Sequence, residues 1–292
     1  MQKPNKLACL TLDLEPDFYS ADSHQVLLDE ARFGQIEALL LRNELPLTVF
    51  VVARMLEEGL PVRERFARID AAFELHSYSH DVEAPDSERE ILLGREVFTR
   101  HLGRPPEGYR APEGDISARG LRVLQRAGFR YDASIFPTWR PELGYDYRGL
   151  PNGPWRYADL DGLLEIPFAA VPRARVVISM SFLKLLGLPV YRVMRRLFGF
   201  PDVLVFDAHL HDFFPTAPVR DLPRSDWRRY AMLRNQRKAL PLLQRFVDLL
   251  RADGYRFVHV GELVGQLEGG HGGPLPQVGL TARGRLARLP EP

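Results

Sequence analysis

Apolar residues in this chain fall into short unbroken runs separated by longer stretches in which they recur every three or four positions. Runs at 7–13, 47–53, Ala71–Leu75, 108–110, 129–132, 163–167, Val203–His209 and 256–260 have the length and the Val, Ile, Leu and Phe content of buried strands. The stretches between them carry helical stripes. One spans 23–43, with Phe33, Ile36 and Leu40 on one face, and the others span 55–70, 87–102, 117–127 and 181–198. A last helix ends near Asp253, with Leu240, Leu243, Val247 and Leu250 on its stripe. Punctuation agrees: Ser87 is placed to cap a helix with Glu90 as its capping-box partner, Gly103 lies just past its end, and Ser117 and Gly128 bound the next helix.

Strand and helix alternate about seven times with no break in composition. The pattern predicts one α/β domain, a (β/α) barrel of seven or eight parallel strands, with distortion or incomplete closure allowed. The barrel is expected over residues 1–264. From 265 to 292 the chain turns to Gly, Pro and Arg without a period and is expected to form a flexible tail. The span 137–161 reads as a long loop rich in Pro, Gly and aromatic residues, of a length usually tied to function.

Composition narrows the possibilities. A formal net charge of +1 over 292 residues speaks against a nucleic-acid partner, which calls for a strongly basic surface. Cys9 is the only cysteine, so no disulfide forms within the chain, and its place in the first run suits a small core residue. The first six residues lead into a strand without an apolar signal region, so a cytoplasmic location is the expectation. No phosphate-cradling glycine motif follows the first strand.

The C-terminal ends of the predicted strands are unusually polar. The first offers Asp13, Glu15 and Asp17, the third His76 and His80, the fourth Arg110, and the fifth Asp132 and Ser134. The penultimate strand offers Asp207, His209, His211 and Asp212. Strand ends in a barrel converge on one mouth. Such a gathering of polar groups is expensive to desolvate unless its members bind something or one another. His76 and His80 are four apart, so a helical turn after His76 would bring both imidazoles to one side as half of a site for zinc or another divalent ion.

Five short motifs, in order, resemble those of the polysaccharide deacetylases of the NodB-homology type. They are the acidic opening at Thr11-Leu-Asp13-Leu-Glu15-Pro-Asp17, the pair in His76-Ser-Tyr-Ser-His80, and Tyr109-Arg110-Ala-Pro112. Tyr131-Asp132-Ala-Ser134 and Phe206-Asp-Ala-His209-Leu-His211-Asp212 complete the set, and the match runs over roughly 7–260. The resemblance implies a metal-dependent hydrolase that removes an N-acetyl or related acyl group from an amino sugar, with a divalent cation, zinc first, as cofactor. It implies Asp13 as base, Arg110 as its orienting partner, His76, His80 and one carboxylate as metal ligands, His209 as acid, and Asp132 as the group that holds His209. The opening departs from the family's two adjacent aspartates, so Glu15 is taken as the acidic ligand with Asp17 as the alternative. His211 is the alternative to His209.

Two other functions are open to these residues: hydrolysis of another C–N bond in a small metabolite, and carbohydrate binding without catalysis. Trp139, Tyr145, Tyr147, Trp155 and Tyr157 could stack on a sugar or pack the loop onto the rim. The span 173–200 has six cations and no acid. It reads either as an outer barrel helix with a basic face or as a helix resting on an anionic membrane, which would make the protein membrane-associated and its substrate a lipid-linked saccharide.

Overall fold

A computed structural model describes residues 6–18, 20, 23–270, 273–280 and 286–288. Seven parallel strands form its central sheet: β1 (Leu7–Leu14), β2 (Leu47–Val51), β3 (Ala71–Leu75), β4 (Gly108–Tyr109), β5 (Tyr131–Asp132), β6 (Leu164–Glu165) and β7 (Val203–His209). Their spatial order is β7-β1-β2-β3-β4-β5-β6, with Arg256–Phe257 paired to the first residues of β1. The strands β2 and β7, both rich in β-branched and apolar residues, lie on either side of β1 and make the most regular part of the sheet.

The expected α/β barrel is present, and its distortion has a definite place. No ladder joins β6 to β7. That seam is spanned by the hydrogen bond from the Ala169 amide to the Val205 carbonyl at 3.0 Å and by the bridge between Ser179 and Asp207.

Side chains alternate across the sheet, so the register sorts every strand residue to one of two faces. Leu7, Cys9, Phe50, Tyr131, Leu164 and Val205 form an apolar cluster of their own inside the barrel. Burial pushes the Cys9 thiol up to about 12, in keeping with an inert core residue. One step further along the same parity lie Thr11, Asp13, His76, Arg110, Asp207 and His209, above that plug at the mouth. The opposite parity, including Leu10, Leu12, Val49, Val51 and Leu204, packs against the helices in the larger core. At Gly108 the backbone must pass directly under the Tyr131 ring, which occupies the space a Cβ would need.

Several expected boundaries move, each for a local reason. The helix expected at 23–43 is two, Gln25–Leu28 and Glu30–Arg42, with Asp29 extended between them and capping the second through the Arg32 amide at 3.0 Å. The helix expected at 55–70 is Ala53–Glu57 and Val62–Phe66, broken around Gly59 and Pro61. The one at 181–198 divides at Gly187 into Met180–Leu186 and Leu188–Phe198. Within the expected loop 137–161 lie a small hairpin, Trp139–Arg140 with Tyr145–Asp146, and the strand Trp155–Tyr157.

The tail expected at 265–292 also carries regular structure. Val260–Glu268 is helical, and Gln277–Leu280 adds in parallel to Trp155–Tyr157 and pairs with Leu286–Arg288. The rest of that expectation (residues 271–272, 281–285 and 289–292), like the reading of residues 1–5, lies outside the described residues.

Candidate active site

Arg110 is the hub of the mouth. It is fully buried, and its guanidinium lies between the rings of Phe50 and Phe168, 4.0 and 4.4 Å from their centroids. Its Nε donates to the Ala133 carbonyl at 3.0 Å. One terminal nitrogen donates to Thr11 Oγ1 at 2.9 Å, Asp13 Oδ1 at 2.6 Å and Asp207 Oδ1 at 3.1 Å. A planar, permanently charged group held by stacking can present that fork without relaxing, which an ammonium cannot do.

Asp13 thereby has one committed oxygen and one free one. Oδ1 is tied to Arg110, and Oδ2 faces the mouth, 3.9 Å from His76 Nε2 and 3.9 Å from His209 Nε2. This placement follows from the ladder, in which Asp13 sits directly opposite His209 on one side and Phe50 on the other.

The two histidines converge without the helical turn expected after His76. The segment is a loop in which Ser77 and His80 both take positive φ, near 61°. The His80 amide donates to Ser77 Oγ at 3.0 Å, and the Ser77 and Tyr78 carbonyls accept from the Ala53 and Arg54 amides. Glu90 supports it from outside. Its carboxylate accepts from the Ser79 amide at 2.7 Å and the Ser79 hydroxyl at 2.8 Å, in place of the capping-box bond expected at its own helix. Gly94 lets that helix approach so closely that a Cβ would press on the Tyr78 amide and the Ser77 carbonyl carbon.

Glu15 faces both rings, 2.7 Å from His80 Nε2 and 3.4 Å from His76 Nε2. His76 Nδ1 lies 2.8 Å from the Arg110 carbonyl, which can only accept, so that nitrogen carries the proton and Nε2 presents its lone pair to the mouth. Burial disfavours the Glu15 carboxylate, but the histidines outweigh it and hold the group well below the usual range. Donor atoms of Glu15, His76 and His80 all lie within 4.8 Å of one another, so two imidazoles and a carboxylate fit a divalent ion with room for further ligands. Asp17, the alternative ligand, points away. Its Oδ2 accepts from Ser23 Oγ and from the Gln25 amide, both at 2.7 Å, and so fastens the start of a helix.

His209 stands across from this group. Its Nδ1 is 3.3 Å from Asp212 Oδ2, which also accepts from the His209 amide at 3.0 Å. Burial opposes a charged ring, but Asp207, Glu15 and Asp212 surround it and raise His209 well above its ordinary value. His211, the alternative acid, is a different kind of group. Its ring stacks on His209 at 4.8 Å, and burial together with the His209 charge pushes it down to about 4.

Asp132, expected to hold His209, does not reach it. It has the opposite parity from Tyr131 and lies on the helix side of the sheet beside Glu165. Its Oδ1 accepts from Ser134 Oγ at 2.6 Å, while Glu165 accepts from Tyr157 at 2.6 Å and from the Ile135 amide at 3.0 Å. Burial raises both carboxyls, and the pair retains a proton.

Asp212 takes the place expected for Asp132. It is fully buried, and Lys184 Nζ at 3.0 Å and Ser181 Oγ at 2.7 Å fix its other oxygen. Burial works against its charge, yet Lys184 and His209 hold it well below the carboxylate range. Asp207 was legible at the strand end but had no assigned part. Burial and the neighbouring Asp13 push its carboxyl up to about 8. Lys184 gave no signal in the sequence, where it reads as one of six cations on a basic helix. It is wholly buried.

Comparisons with known proteins bear on the sequence family and on the fold. The family model described as polysaccharide deacetylase matches residues 1–131, which contain Asp13, Glu15, both histidines and Arg110. No curated protein sequence matches the chain. Among solved structures, the chain is similar to a protein of Mycobacterium smegmatis assigned to the polysaccharide deacetylases, at 18% identity and a TM-score of 0.58, covering 94% of each chain. It is similar to PuuE allantoinase at 15% identity and 0.58, covering 93% of each. A Pseudomonas aeruginosa PAO1 protein, also assigned to the polysaccharide deacetylases, gives 16% and 0.57, covering 91% of this chain and 92% of the other. At these identities the structures speak to fold alone, and that fold runs through the part the family model leaves unmatched. Over residues 1–131 the sequence thus matches the polysaccharide deacetylase family model, and the fold shared with these solved structures extends through the rest of the chain.

Proposed function

We propose that this protein is a metal-dependent hydrolase that removes an N-acetyl, or closely related acyl, group from an amino sugar in a glycan or lipid-linked saccharide. The observation that carries the reading is the free oxygen of Asp13, which stands midway between His76 of the candidate metal group and His209. A base so placed can take a proton from water on one side of a carbonyl while the acid serves the other.

Glu15, His76 and His80 would hold the divalent ion, zinc being the first candidate. Bound there, it would act as a Lewis acid on the acyl carbonyl. Asp13 Oδ2 accepts the proton of the attacking water, and the Arg110 bond to Oδ1 keeps the carboxylate turned so that this oxygen stays free. His209 donates a proton to the departing amine. Asp212 fixes its Nδ1 as the other protonated nitrogen, which leaves Nε2 aimed at the mouth. One water is consumed: its hydroxyl joins the acyl carbon as the C–N bond breaks, and the proton that Asp13 takes up replaces the one His209 gives to the nitrogen, so the products are the amine and the carboxylic acid.

The test is acetate release from N-acetylated chito-oligosaccharides, compared between wild type and Asp13→Asn with bound metal measured on both. Metal retained, with turnover lost by at least a thousandfold in the variant, supports the reading. Turnover of a formamide or cyclic amide alone would shift it to another C–N bond. Metal binding without turnover of any such substrate would leave a carbohydrate-binding protein.

A further inference from the structure

The chain's positive charge is distributed very unevenly. Residues 173–200 hold six cations and no acid, and residues 222–238 hold six cations and Asp226 alone, against a formal net charge of +1 for the whole. The fold brings the two segments together. Helix Met180–Leu186 packs on helix Trp227–Leu233, with the Lys184 ammonium donating to the Met232 carbonyl at 3.1 Å and Arg234 Nε to the Leu185 carbonyl at 2.7 Å.

Some of these cations are spent internally: Lys184 on Asp212, Arg195 on Asp253, Arg175 on the Pro137 and Leu150 carbonyls. Arg192, Arg196 and Arg224 remain exposed with no acidic partner among the described residues. Between them lies apolar surface. Helix Leu188–Phe198 buries Leu188, Tyr191 and Met194 against the core, yet a second apolar stripe, Val190, Val193 and Leu197, faces water, with Val193 58% and Leu197 64% exposed. Trp227, at 73%, and Tyr230 stand out of the neighbouring helix. Seven of the twelve large hydrophobic residues exposed among the described residues belong to these helices. Isolated exposed hydrophobes need no partner, but a helix that is apolar on two sides and basic along the edges does.

We propose that these helices are a docking surface for an anionic lipid bilayer. Charge selects this occupant: arginines flank aromatic and branched aliphatic side chains, the combination that binds headgroup phosphates while the apolar tips enter the interface. No helix of the described residues is long and apolar enough to cross a membrane, so contact is in the plane of the surface. The surface is distinct from the mouth, although helix Met180–Leu186 also supplies the groups that hold Asp212. The docking does not depend on the hydrolase reading.

Co-sedimentation of the full chain with vesicles of phosphatidylcholine alone, or containing 30% phosphatidylglycerol, tests it at low and high salt. Binding is expected to the anionic vesicles at low salt, weakened at least tenfold by high salt and by Arg192→Glu with Arg196→Glu. Val193→Asp with Leu197→Asp should weaken it by a similar factor. All four positions are exposed, and circular dichroism confirms the fold. No sedimentation of the wild type with anionic vesicles, or sedimentation unchanged by both double variants, overturns the proposal. So does ultracentrifugation showing a concentration-dependent dimer that Val193→Asp with Leu197→Asp abolishes, since the stripe would then belong to a second copy.

Discussion

Replacement of Lys184 by methionine removes the ammonium that, with His209, faces the buried Asp212 carboxylate, and keeps nearly the same volume. Both side chains are wholly shielded, so water cannot substitute for the missing charge. At 3.0 Å and an effective dielectric constant of about 20, the pair attracts by roughly 5 kcal/mol. Loss of one partner of a buried pair costs about 3–5 kcal/mol. Ser181 and the His209 amide still donate to Asp212 and offset part of this, so an unfolding penalty of about 3 kcal/mol is expected. Urea unfolding followed by tryptophan fluorescence and far-ultraviolet circular dichroism gives the value. Lys184→Met combined with Asp212→Asn should recover more than half of it, because the orphaned charge is gone. A Lys184→Met variant within 1 kcal/mol of wild type, or a double variant whose loss is the plain sum of the two singles, would refute the claim that the pair acts as a unit.

Asp212→Asn should move the alkaline limb of the activity profile to lower pH. Asp212 is among the groups that raise His209, the acid must be protonated to act, and its loss of protonation therefore comes earlier; an unmoved limb measured as kcat/KM across pH would contradict this. Equilibrium dialysis with zinc should find one ion per chain, lost at least a hundredfold in affinity on Glu15→Ala or His80→Ala and retained in Asp17→Ala. The reverse pattern would exchange the two acids. Glu74 is buried below the mouth, and burial lifts its carboxyl from 4.5 to about 7. The folded state thus keeps a proton that the unfolded chain releases, so stability present below about pH 4.5 declines as pH rises to 7, by roughly 3 kcal/mol. Urea midpoints at pH 5 and pH 7.5 should differ less in Glu74→Gln than in wild type.

The barrel and most of its mouth were legible because the residues that make them are local signals. Ala71–Leu75 and Val203–His209 are strands in the structure at the limits their apolar runs suggest, and the histidine that follows the first and ends the second, His76 and His209, lands at the rim. Helix limits were less legible where a single Gly or Pro divides a continuous stripe, as at Pro61 and Gly187. Asp132 was misplaced although the information existed. Tyr131 fills the barrel, so its neighbour in a strand must face the other way, and parity alone removes Asp132 from the mouth. Lys184 was beyond reach, since its burial depends on contacts with Asp212 and Met232, 28 and 48 residues away in a fold the helix pattern cannot reveal. The convergence of His76 and His80 was foreseen, but a loop shaped by Ser77, Glu90 and Gly94 achieves it.

The strand Trp155–Tyr157 gains its outer neighbour from a segment far downstream; the bond from the Leu280 amide to Asp159 spans 121 positions. During synthesis, therefore, the barrel's seven staves can all have left the ribosome while this strand still shows unpaired amides and carbonyls. Nascent chains stalled before Gln277 are expected to be the ones that chaperones capture and proteases clip, and release of the remaining residues ends that exposure.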